Sequence, residues 1–446
     1  MKMLLFLVTS ILALNSIAFA DVSLTVYNND LAIVKSVEEM SFIKGLQAIS
    51  LTDVASRIDP TSVRFTSSDG NVTVLEQNYR YDIVNTAKVL HYYIDKQVSI
   101  WVKDGDLIEG VLQSVTGDVI VKGRDGRLNI LKEDVIERFD LPELPEGLVT
   151  RPTLIWQVNS LKSGDFPTEV SYMTGGLSWH AEYSAVVSED EENLEISSWV
   201  SINNMSGATY ENAALKLVAG DVNMLKKGRP LMKREAVLSL AAEDEMTGGF
   251  EERGLFEYHL YDLGRATTIA NAEIKQIALV DPTDVITQKK FMYEPWKDPK
   301  KVAVSMEFIN SEEMGLGMAL PAGKIRVYKR DTDGSIEFIG EDAVDHTPRN
   351  EKVRMVLGSA FDIVAEKKII ETRRISQRIR EQDIEISLRN RKEEQVVITV
   401  SERFYGDWEI LKKSHDFIKK DAYTAEFSIL VPADAEVIAA YTIRYK

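Results

Sequence analysis

The sequence GLSWH at residues 176–180 comes within one residue of the glycine-x-serine-x-glycine elbow that presents the nucleophile in one class of hydrolases. The elbow needs its second glycine because a strand and a helix pack closely around a strained serine. His180 stands at the position of that glycine, and residues 181–187 continue as an alternating strand pattern instead of a helix. The pattern therefore favours a β-bend that directs Trp179 and Tyr183 into the core.

An enzyme remains the alternative interpretation. It would be a hydrolase that acts on glycan or peptide and uses Ser178, His180 or Asp221. The interpretation we favour assigns no catalytic residue. It gives a binding role to five residues, which are Trp179, His180, Tyr183, Asp221 and His346. His346 opens a His-Thr-Pro loop that could line a groove, although a capped turn is the simpler explanation for that loop.

The residue types that bind metals are scattered. The chain has no cysteine and five histidines, and no two of those histidines have the spacing of metal ligands. A zinc site without thiolates would need at least three converging histidine or carboxylate ligands. The sequence Asp-Thr-Asp-Gly at 331–334 resembles half a calcium loop but lacks the distal glutamate, and a hairpin turn explains it. The sequence therefore predicts no metal and no cofactor, and the missing cysteines exclude disulfides.

Aromatic side chains offer a different kind of chemistry. Tryptophans stack on sugar rings where they are exposed on one face, but tryptophans in strands more often belong to the core. The five considered for such a platform are Trp156, Trp179, Trp199, Trp296 and Trp408. Carboxylates cluster at 189–192 and 243–245, inside predicted turns, and nothing in the sequence places a pair of them across a cleft as a glycosidase requires.

These candidate residues must be positioned by strands. Three alternating runs, Ala181–Val187, Leu194–Ile202 and Ala213–Val218, are separated by turn clusters and predict an antiparallel meander. Glycines at 175–176 and at 220 are expected to bend the backbone or to take positive φ.

Short strands with Gly/Asp turns also fill residues 96–140 and predict a small SH3-like barrel with an Sm-like shape. Sm-like barrels can bind RNA, but this segment has seven Lys/Arg against nine Asp/Glu. The basic surface that nucleic acid requires is therefore missing. The net charge of the whole chain, −17, also argues against a general polyanion-binding protein. We expect no nucleic-acid partner.

The rest of the chain completes a mainly β prediction of antiparallel sandwiches with the inserted barrel and a C-terminal immunoglobulin-like module. Residues 363–382 are ambiguous between helix and strand, and the β-rich flanks favour extended structure. The predicted divisions are a signal peptide at 1–20, a β-domain at 21–95, the barrel at 96–140, a central β region at 150–360 with an exposed loop at 226–253, and the C-terminal module at 361–446.

The first residues resemble a secretory signal peptide. Lys2 precedes an apolar run at Met3–Leu14, and Ala18-Phe19-Ala20 has the small-x-small pattern of a cleavage site. Cleavage after Ala20 would leave 446 − 20 = 426 residues, in which no run approaches the ~20 apolar residues of a membrane-spanning helix. We therefore expect a periplasmic or secreted bacterial protein without a transmembrane span.

Several segments, in order, resemble a secreted bacterial family known only as a domain of unknown function, which also forms the C-terminal half of mucoidy inhibitor A-like proteins. The segments include RPTLIWQVNS (151–160), TGGLSWHAEY (174–183), SGATYENAALKLVAGDVN (206–223), LPAGKIRVYKRDTDGSIEFIGED (320–342), HTPRNE (346–351), ISLRNRKEE (386–394) and YGDWEI (405–410). The resemblance implies a β-rich exported protein and carries over no activity and no catalytic residue.

The function that these observations favour is non-catalytic. We expect an exported envelope protein that binds or scaffolds another protein or a surface glycan, because many strands offer edges and loops for recognition. The sequence leaves the ligand and the oligomeric state open.

Overall fold

The computed structural model describes residues 22–68, 71–220, 222–223 and 250–446. The predicted signal peptide, Asp221 and nearly all of the predicted loop 226–253 lie outside these residues. Strand accounts for 64% of the structure and helix for 4%, so the prediction of a mainly β protein is confirmed.

The described residues up to 219 form fifteen strands, one α-helix and two short 3₁₀ helices, at Pro60–Ser62 and Glu133–Val135. Helix α1 covers Thr86–Tyr92 and is capped by the Asn85 side chain, which accepts a hydrogen bond from the Lys88 backbone N–H. The strands are β1 (Val22–Tyr27), β2 (Ala32–Phe42), β3 (Gly45–Thr52), β4 (Arg64–Ser67), β5 (Val72–Arg80), β6 (Gln97–Val102), β7 (Leu107–Ser114), β8 (Val119–Gly123), β9 (Leu128–Leu131), β10 (Ile136–Asp140), β11 (Thr153–Ser160), β12 (Gly164–Thr174), β13 (Leu177–Val187), β14 (Asn193–Asn204) and β15 (Tyr210–Ala219).

The described chain from residue 250 onward is built from strands and one 3₁₀ helix, at Glu312–Met314. The first of these strands begins at Glu251, inside the predicted loop. The strands are β16 (Glu251–Leu255), β17 (Tyr258–Ile269), β18 (Glu273–Ile286), β19 (Gln288–Tyr293), β20 (Lys301–Ile309), β21 (Gly323–Arg330), β22 (Ile336–Val344), β23 (Lys352–Arg374), β24 (Arg380–Asn390), β25 (Val396–Arg403), β26 (Trp408–Lys413), β27 (Phe417–Lys419), β28 (Thr424–Val431) and β29 (Glu436–Tyr445).

The described residues divide into two compact units, and the first is drawn from residues 22–178, 203–216 and 263–273. One of its sheets contains neighbouring strands in the order β17-β15-β1-β2-β12-β4, and another has the order β3-β11-β5. Residues 97–140 form a separate five-stranded antiparallel sheet in the order β10-β6-β7-β8-β9. That small sheet has its own core around Ile100, Leu112 and Val121, and the SH3-like name for it stays a prediction.

The second unit is drawn from residues 179–202, 217–262 and 274–446. It contains a five-stranded sheet in the order β18-β14-β13-β21-β22 and a nine-stranded sheet in the order β26-β29-β24-β23-β20-β19-β25-β28-β27. Both sheets are mixed, because β13 pairs with β21 and β19 pairs with β25 in parallel register. Alternating residues of the nine-stranded sheet bury a core around Phe404, Trp408 and Phe427. The immunoglobulin-like name for residues 361–446 stays a prediction.

The predicted three-strand meander is only half right. Strands β13 and β14 are neighbours, but β15 lies in the sheet that contains β1 and β17. The turn after β14 contains Gly207, with φ +89°. The Asn204 side chain donates a hydrogen bond to the Ala208 carbonyl of this turn. The glycines at 175–176 and 220 were predicted to bend the backbone or to take positive φ. Gly176 and Gly220 have positive φ, of +85° and +134°.

Residues 363–374 belong to β23 and pair with β24, so extended structure is correct for this segment. Residues 375–379 form the turn of the hairpin, and the Ser376 hydroxyl accepts hydrogen bonds from the N–H groups of Arg378 and Ile379. In the part of the chain that the structure describes, no helix has the length and apolar character to cross a membrane.

Three fully buried asparagines, Asn204, Asn310 and Asn390, occupy similar positions at or just after the end of a strand. The Nδ2 of each donates to three main-chain carbonyls at 2.8–3.4 Å, and two of these three carbonyls belong to consecutive residues. Because buried carbonyls that lose water need donors, each amide stabilises the turns that leave its strand. The acceptors are Ala208, Ile269 and Ala270 for Asn204, Met318, Thr347 and Pro348 for Asn310, and Glu394, Val431 and Pro432 for Asn390.

Candidate functional site

Two of the predicted binding residues are core residues of the second unit. Trp179 is 1% exposed, and its indole N–H donates to the Val218 carbonyl at 3.1 Å. The Tyr183 hydroxyl donates to the Pro321 carbonyl at 2.6 Å, and burial raises the pKa of this phenol well above its ordinary value. The expectation that the β-bend seats both rings in the core is correct. The accompanying expectation that they bind a ligand is not supported, because neither ring reaches the surface.

His180 lies on the opposite, solvent-exposed face of β13. Its Nε2 is 3.1 Å from one carboxylate oxygen of Glu182, and Arg326 donates to the other oxygen at 2.6 Å. Partial burial raises the pKa of Glu182, but the hydrogen bonds from Arg326 and His180 outweigh it and leave that pKa below its ordinary value. The carboxylate is therefore ionised and already paired.

The two other predicted residues have different outcomes. His346 is exposed, and its Nδ1 accepts a hydrogen bond from the Ala322 N–H at 3.1 Å, one residue beyond the carbonyl that Tyr183 binds. This hydrogen bond from Ala322 to His346 stabilises the loop before β21, which agrees with the simpler explanation of a capped turn. Asp221 lies outside the described residues.

The tryptophans considered for a sugar platform separate into two groups. Trp156, Trp179 and Trp408 are buried, whereas Trp199 and Trp296 are 47% and 48% exposed. Trp199 projects from β14, and Trp296 lies in the turn between β19 and β20, where the N–H groups of Lys297 and Asp298 bind the Glu294 carbonyl. Trp296 lines a cavity.

We call this cavity the Trp296 groove. It has a volume of about 250 Å³ and combines two exposed aromatic rings, Trp296 and Tyr423, with arginines, hydroxyls and carboxylates. Tyr423 is 54% exposed and follows β27. The lining residues are Met292, Glu294, Trp296, Arg354, Ser401, Arg403, Lys420, Asp421, Tyr423, Thr424 and Glu426.

The acidic groups of the Trp296 groove are engaged by neighbours. Lys297 binds Glu294, and Lys420 binds Glu426, each at 2.7 Å. Asp421 accepts hydrogen bonds from the N–H groups of residues 423 and 424, and these bonds hold the pKa of Asp421 below its ordinary value. Asp421 is therefore an ionised acceptor, and the other two carboxylates are paired with lysines.

Two basic groups lie over the indole ring. The Arg403 guanidinium lies 5.3 Å from the centre of the Trp296 ring, and Lys297 lies 4.8 Å from it. A cation over an aromatic face is attracted to it by about 0.5–1 kcal/mol at an exposed site. Nearly half of Trp296 nevertheless stays exposed, so the groove presents a ring surface beside donors and acceptors.

Sequence reasoning identified Trp296 as a candidate and missed Arg403 and Tyr423. These residues come from strands or turns more than a hundred positions beyond Trp296 in sequence, and parallel pairing of β19 with β25 brings Arg403 close. No local pattern signals such a pairing.

Comparison with known proteins adds no identification, since no family model and no curated protein matches the chain. Within residues 22–68, 71–220, 222–223 and 250–446, no group of three histidine, aspartate or glutamate side chains is arranged to hold a metal ion. The fold and the groove together define a mainly β protein with an open groove lined by aromatic and charged side chains.

Proposed function

We propose that this chain is a non-catalytic protein of the bacterial cell envelope that binds a surface glycan in the Trp296 groove. The observation that carries the proposal is the presence of two half-exposed aromatic rings, Trp296 and Tyr423, on one cavity that also holds fixed hydrogen-bonding groups. The predicted signal peptide and the family resemblance support an exported protein.

The aromatic rings supply the apolar part of the recognition. A sugar ring has a face of C–H groups that packs against an indole or phenol, and such rings lose little side-chain entropy on binding. Trp296 sits in a short turn whose next residue, Lys297, is tied to Glu294. This ion pair braces the turn that carries the indole.

The polar groups supply the specific part. A sugar hydroxyl both donates and accepts, and the groove offers acceptors in Asp421 and Glu426 and donors in Arg403 and Arg354. Charge-assisted hydrogen bonds are stronger than neutral ones. A groove of about 250 Å³ open to solvent suits one or two sugar units of a longer chain better than a fully enclosed small molecule.

The hydrolase alternative has less support. Ser178 and His180 are two residues apart on one strand, which places their Cα atoms about 7 Å apart along it. The carboxylate that His180 meets is bound by Arg326 on an exposed sheet face. A serine nucleophile needs a base within hydrogen-bond reach, and this strand geometry does not favour that arrangement.

The proposal predicts that glycan binding depends on the two exposed rings. An array of defined bacterial surface oligosaccharides, including peptidoglycan fragments, should retain the purified protein, and calorimetry with the retained oligosaccharide should give the affinity. Trp296→Ala is expected to weaken binding about 30-fold, because an aromatic anchor at the centre of a site carries much of the binding free energy. Tyr423→Ala should act in the same direction.

Trp199→Ala is the matched control, since Trp199 is exposed to almost the same degree and lies outside the groove. It should leave glycan affinity unchanged. Retention of no glycan would contradict the proposal, as would equal losses of affinity in the Trp296 and Trp199 variants.

A further inference from the structure

A second groove of the same unit is lined by arginine and tyrosine and by no carboxylate. It lies at the turn of the β23–β24 hairpin, has a volume of about 530 Å³, and is lined chiefly by Arg374, Arg378, Arg380, Tyr405 and Tyr445. We call it the Arg374 groove, and it shares no residue with the Trp296 groove. The chain has 70 acidic and 53 basic residues, so a groove lined by three arginines and no carboxylate is the reverse of its overall charge balance.

The strand register explains how the arginines come together. Arg374 is directly opposite Arg380 on the neighbouring strand, and Arg380 is opposite Tyr445 on the next. Directly paired residues point to the same face of a sheet, with Cβ atoms about 5 Å apart. Two like charges in that position repel each other. An anion bound between them would offset this repulsion.

The adjacent row of the same strands has the opposite character. There Arg373, Glu381, Arg444 and Glu409 are aligned in register, with charges that alternate in sign. Arg444 donates to Glu381 at 2.6 and 2.9 Å, and Arg373 binds Asp383. Carboxylates are therefore available at this end of the sheet, yet all of these lie on the other face.

The side chains of the Arg374 groove are partly positioned in advance. The Arg374 Nε donates to the Ser376 carbonyl at 3.2 Å, and this hydrogen bond does not use the terminal nitrogens of the guanidinium. The Arg380 guanidinium lies 5.3 Å from the centre of the Tyr445 ring. In the described part of the chain, none of Arg374, Arg378 and Arg380 forms an ion pair within 4 Å.

We infer that the Arg374 groove is a binding site for a phosphate ester. A phosphate group carries up to two charges and three or four acceptor oxygens, which match several guanidinium groups at once, whereas a carboxylate is satisfied by a single bidentate arginine. Tyr405, 72% exposed at the edge of the groove, offers a ring surface for the molecule that carries the phosphate. The phosphate could belong to a soluble sugar phosphate or to a phospholipid headgroup, and the chemistry of the site is the same for both.

The test is titration of the full protein with glucose 1-phosphate, inorganic phosphate and glucose, in parallel with sedimentation on phosphatidylglycerol and phosphatidylcholine vesicles. We expect binding of the anionic probes, which are glucose 1-phosphate, inorganic phosphate and phosphatidylglycerol. We expect none of glucose or of phosphatidylcholine, whose phosphate is balanced by its own quaternary ammonium. Arg374→Gln and Arg378→Gln should each weaken binding about tenfold or more, because each removes charge-assisted hydrogen bonds. Binding should also weaken between about 50 mM and about 500 mM salt.

Arg127→Gln, which removes the same charge from an exposed turn of the first unit, is the control and should leave binding unchanged. Arg374→Gln should not lower the melting temperature, because it relieves the repulsion from Arg380; this separates a binding role from a structural one. Binding of glucose 1-phosphate alone would assign a soluble ligand, and binding of phosphatidylglycerol vesicles alone would assign a lipid headgroup. Absence of both, or binding that is insensitive to Arg374→Gln, would overturn the inference.

Discussion

Asn390→Asp is expected to destabilise the protein by about 3–5 kcal/mol at neutral pH. The Asn390 amide is fully buried and donates to the carbonyls of Glu394, Val431 and Pro432 at 2.8–3.3 Å. Aspartate has nearly the same shape, but its ionised carboxylate would place negative charge against three carbonyl oxygens away from water. Urea denaturation, followed by fluorescence, measures the change in the free energy of unfolding.

The pH dependence of this variant distinguishes charge from shape. Burial beside carbonyl oxygens raises the pKa of the introduced carboxyl group in the folded state above the ordinary value of about 3.9. The folded state then binds its proton more tightly than the unfolded state, so the deficit in stability is smallest below pH ~4 and grows as pH rises through the folded pKa. A deficit that stays constant from acidic to neutral pH would contradict the electrostatic explanation.

Asn350→Asp supplies the matched control, because Asn350 is exposed and its positive φ, +62°, is one that aspartate also tolerates. The same change there should alter stability by less than about 0.5 kcal/mol. The equivalent substitutions at Asn204 and Asn310 should resemble Asn390→Asp, since each of those amides also donates to three carbonyls.

Lys367→Met is expected to destabilise the protein by about 3–5 kcal/mol, because it leaves a buried carboxylate without its cationic partner. The Lys367 ammonium donates to Glu402 at 2.7 Å, and the Glu402 side chain is only 2% exposed. Burial raises the pKa values of Tyr293 and Tyr441, and the nearby charge of Glu402 is the second cause. The pKa of Tyr293 is raised to about 12. These phenols therefore stay neutral at physiological pH and do not replace the missing cation.

A double-mutant cycle tests the explanation for this ion pair. The variant Lys367→Met/Glu402→Leu removes both charges together and should recover most of the lost stability, because two apolar side chains of similar volume need no partner. Thermal and urea unfolding of the two single variants and the double variant give the coupling free energy. If the double variant is as unstable as Lys367→Met, the loss comes from packing and not from an unpaired charge.

Both of these sites lie on the strands that carry the proposed binding surfaces. Asn390 ends β24, whose first residue is Arg380 of the Arg374 groove, and Glu402 precedes Arg403 of the Trp296 groove. Losses of binding in destabilised variants of the core would therefore be ambiguous. For this reason, the binding tests use exposed side chains whose removal leaves these buried interactions intact.

Local sequence patterns were sufficient for many of the strands, although β16 begins inside a predicted loop. Alternation predicted β13 and β14, and the rings of Trp179 and Tyr183 lie in the core as the pattern required. A side-chain period of two is a property of a single strand, so it can be predicted without knowledge of its neighbours. The same local reasoning placed residues 363–374 in a strand on the strength of their β-rich flanks.

What the sequence by itself determined is that the chain is mainly β and buries one face of most strands. Only the tertiary structure decided which strands are neighbours: β15 joins a sheet without β14, and Arg374 meets Arg380 and Tyr445. It also decided that Trp296 lines a groove with Tyr423. The reason is physical, because alternation fixes the face of each side chain, whereas register and pairing depend on contacts between residues far apart in the chain.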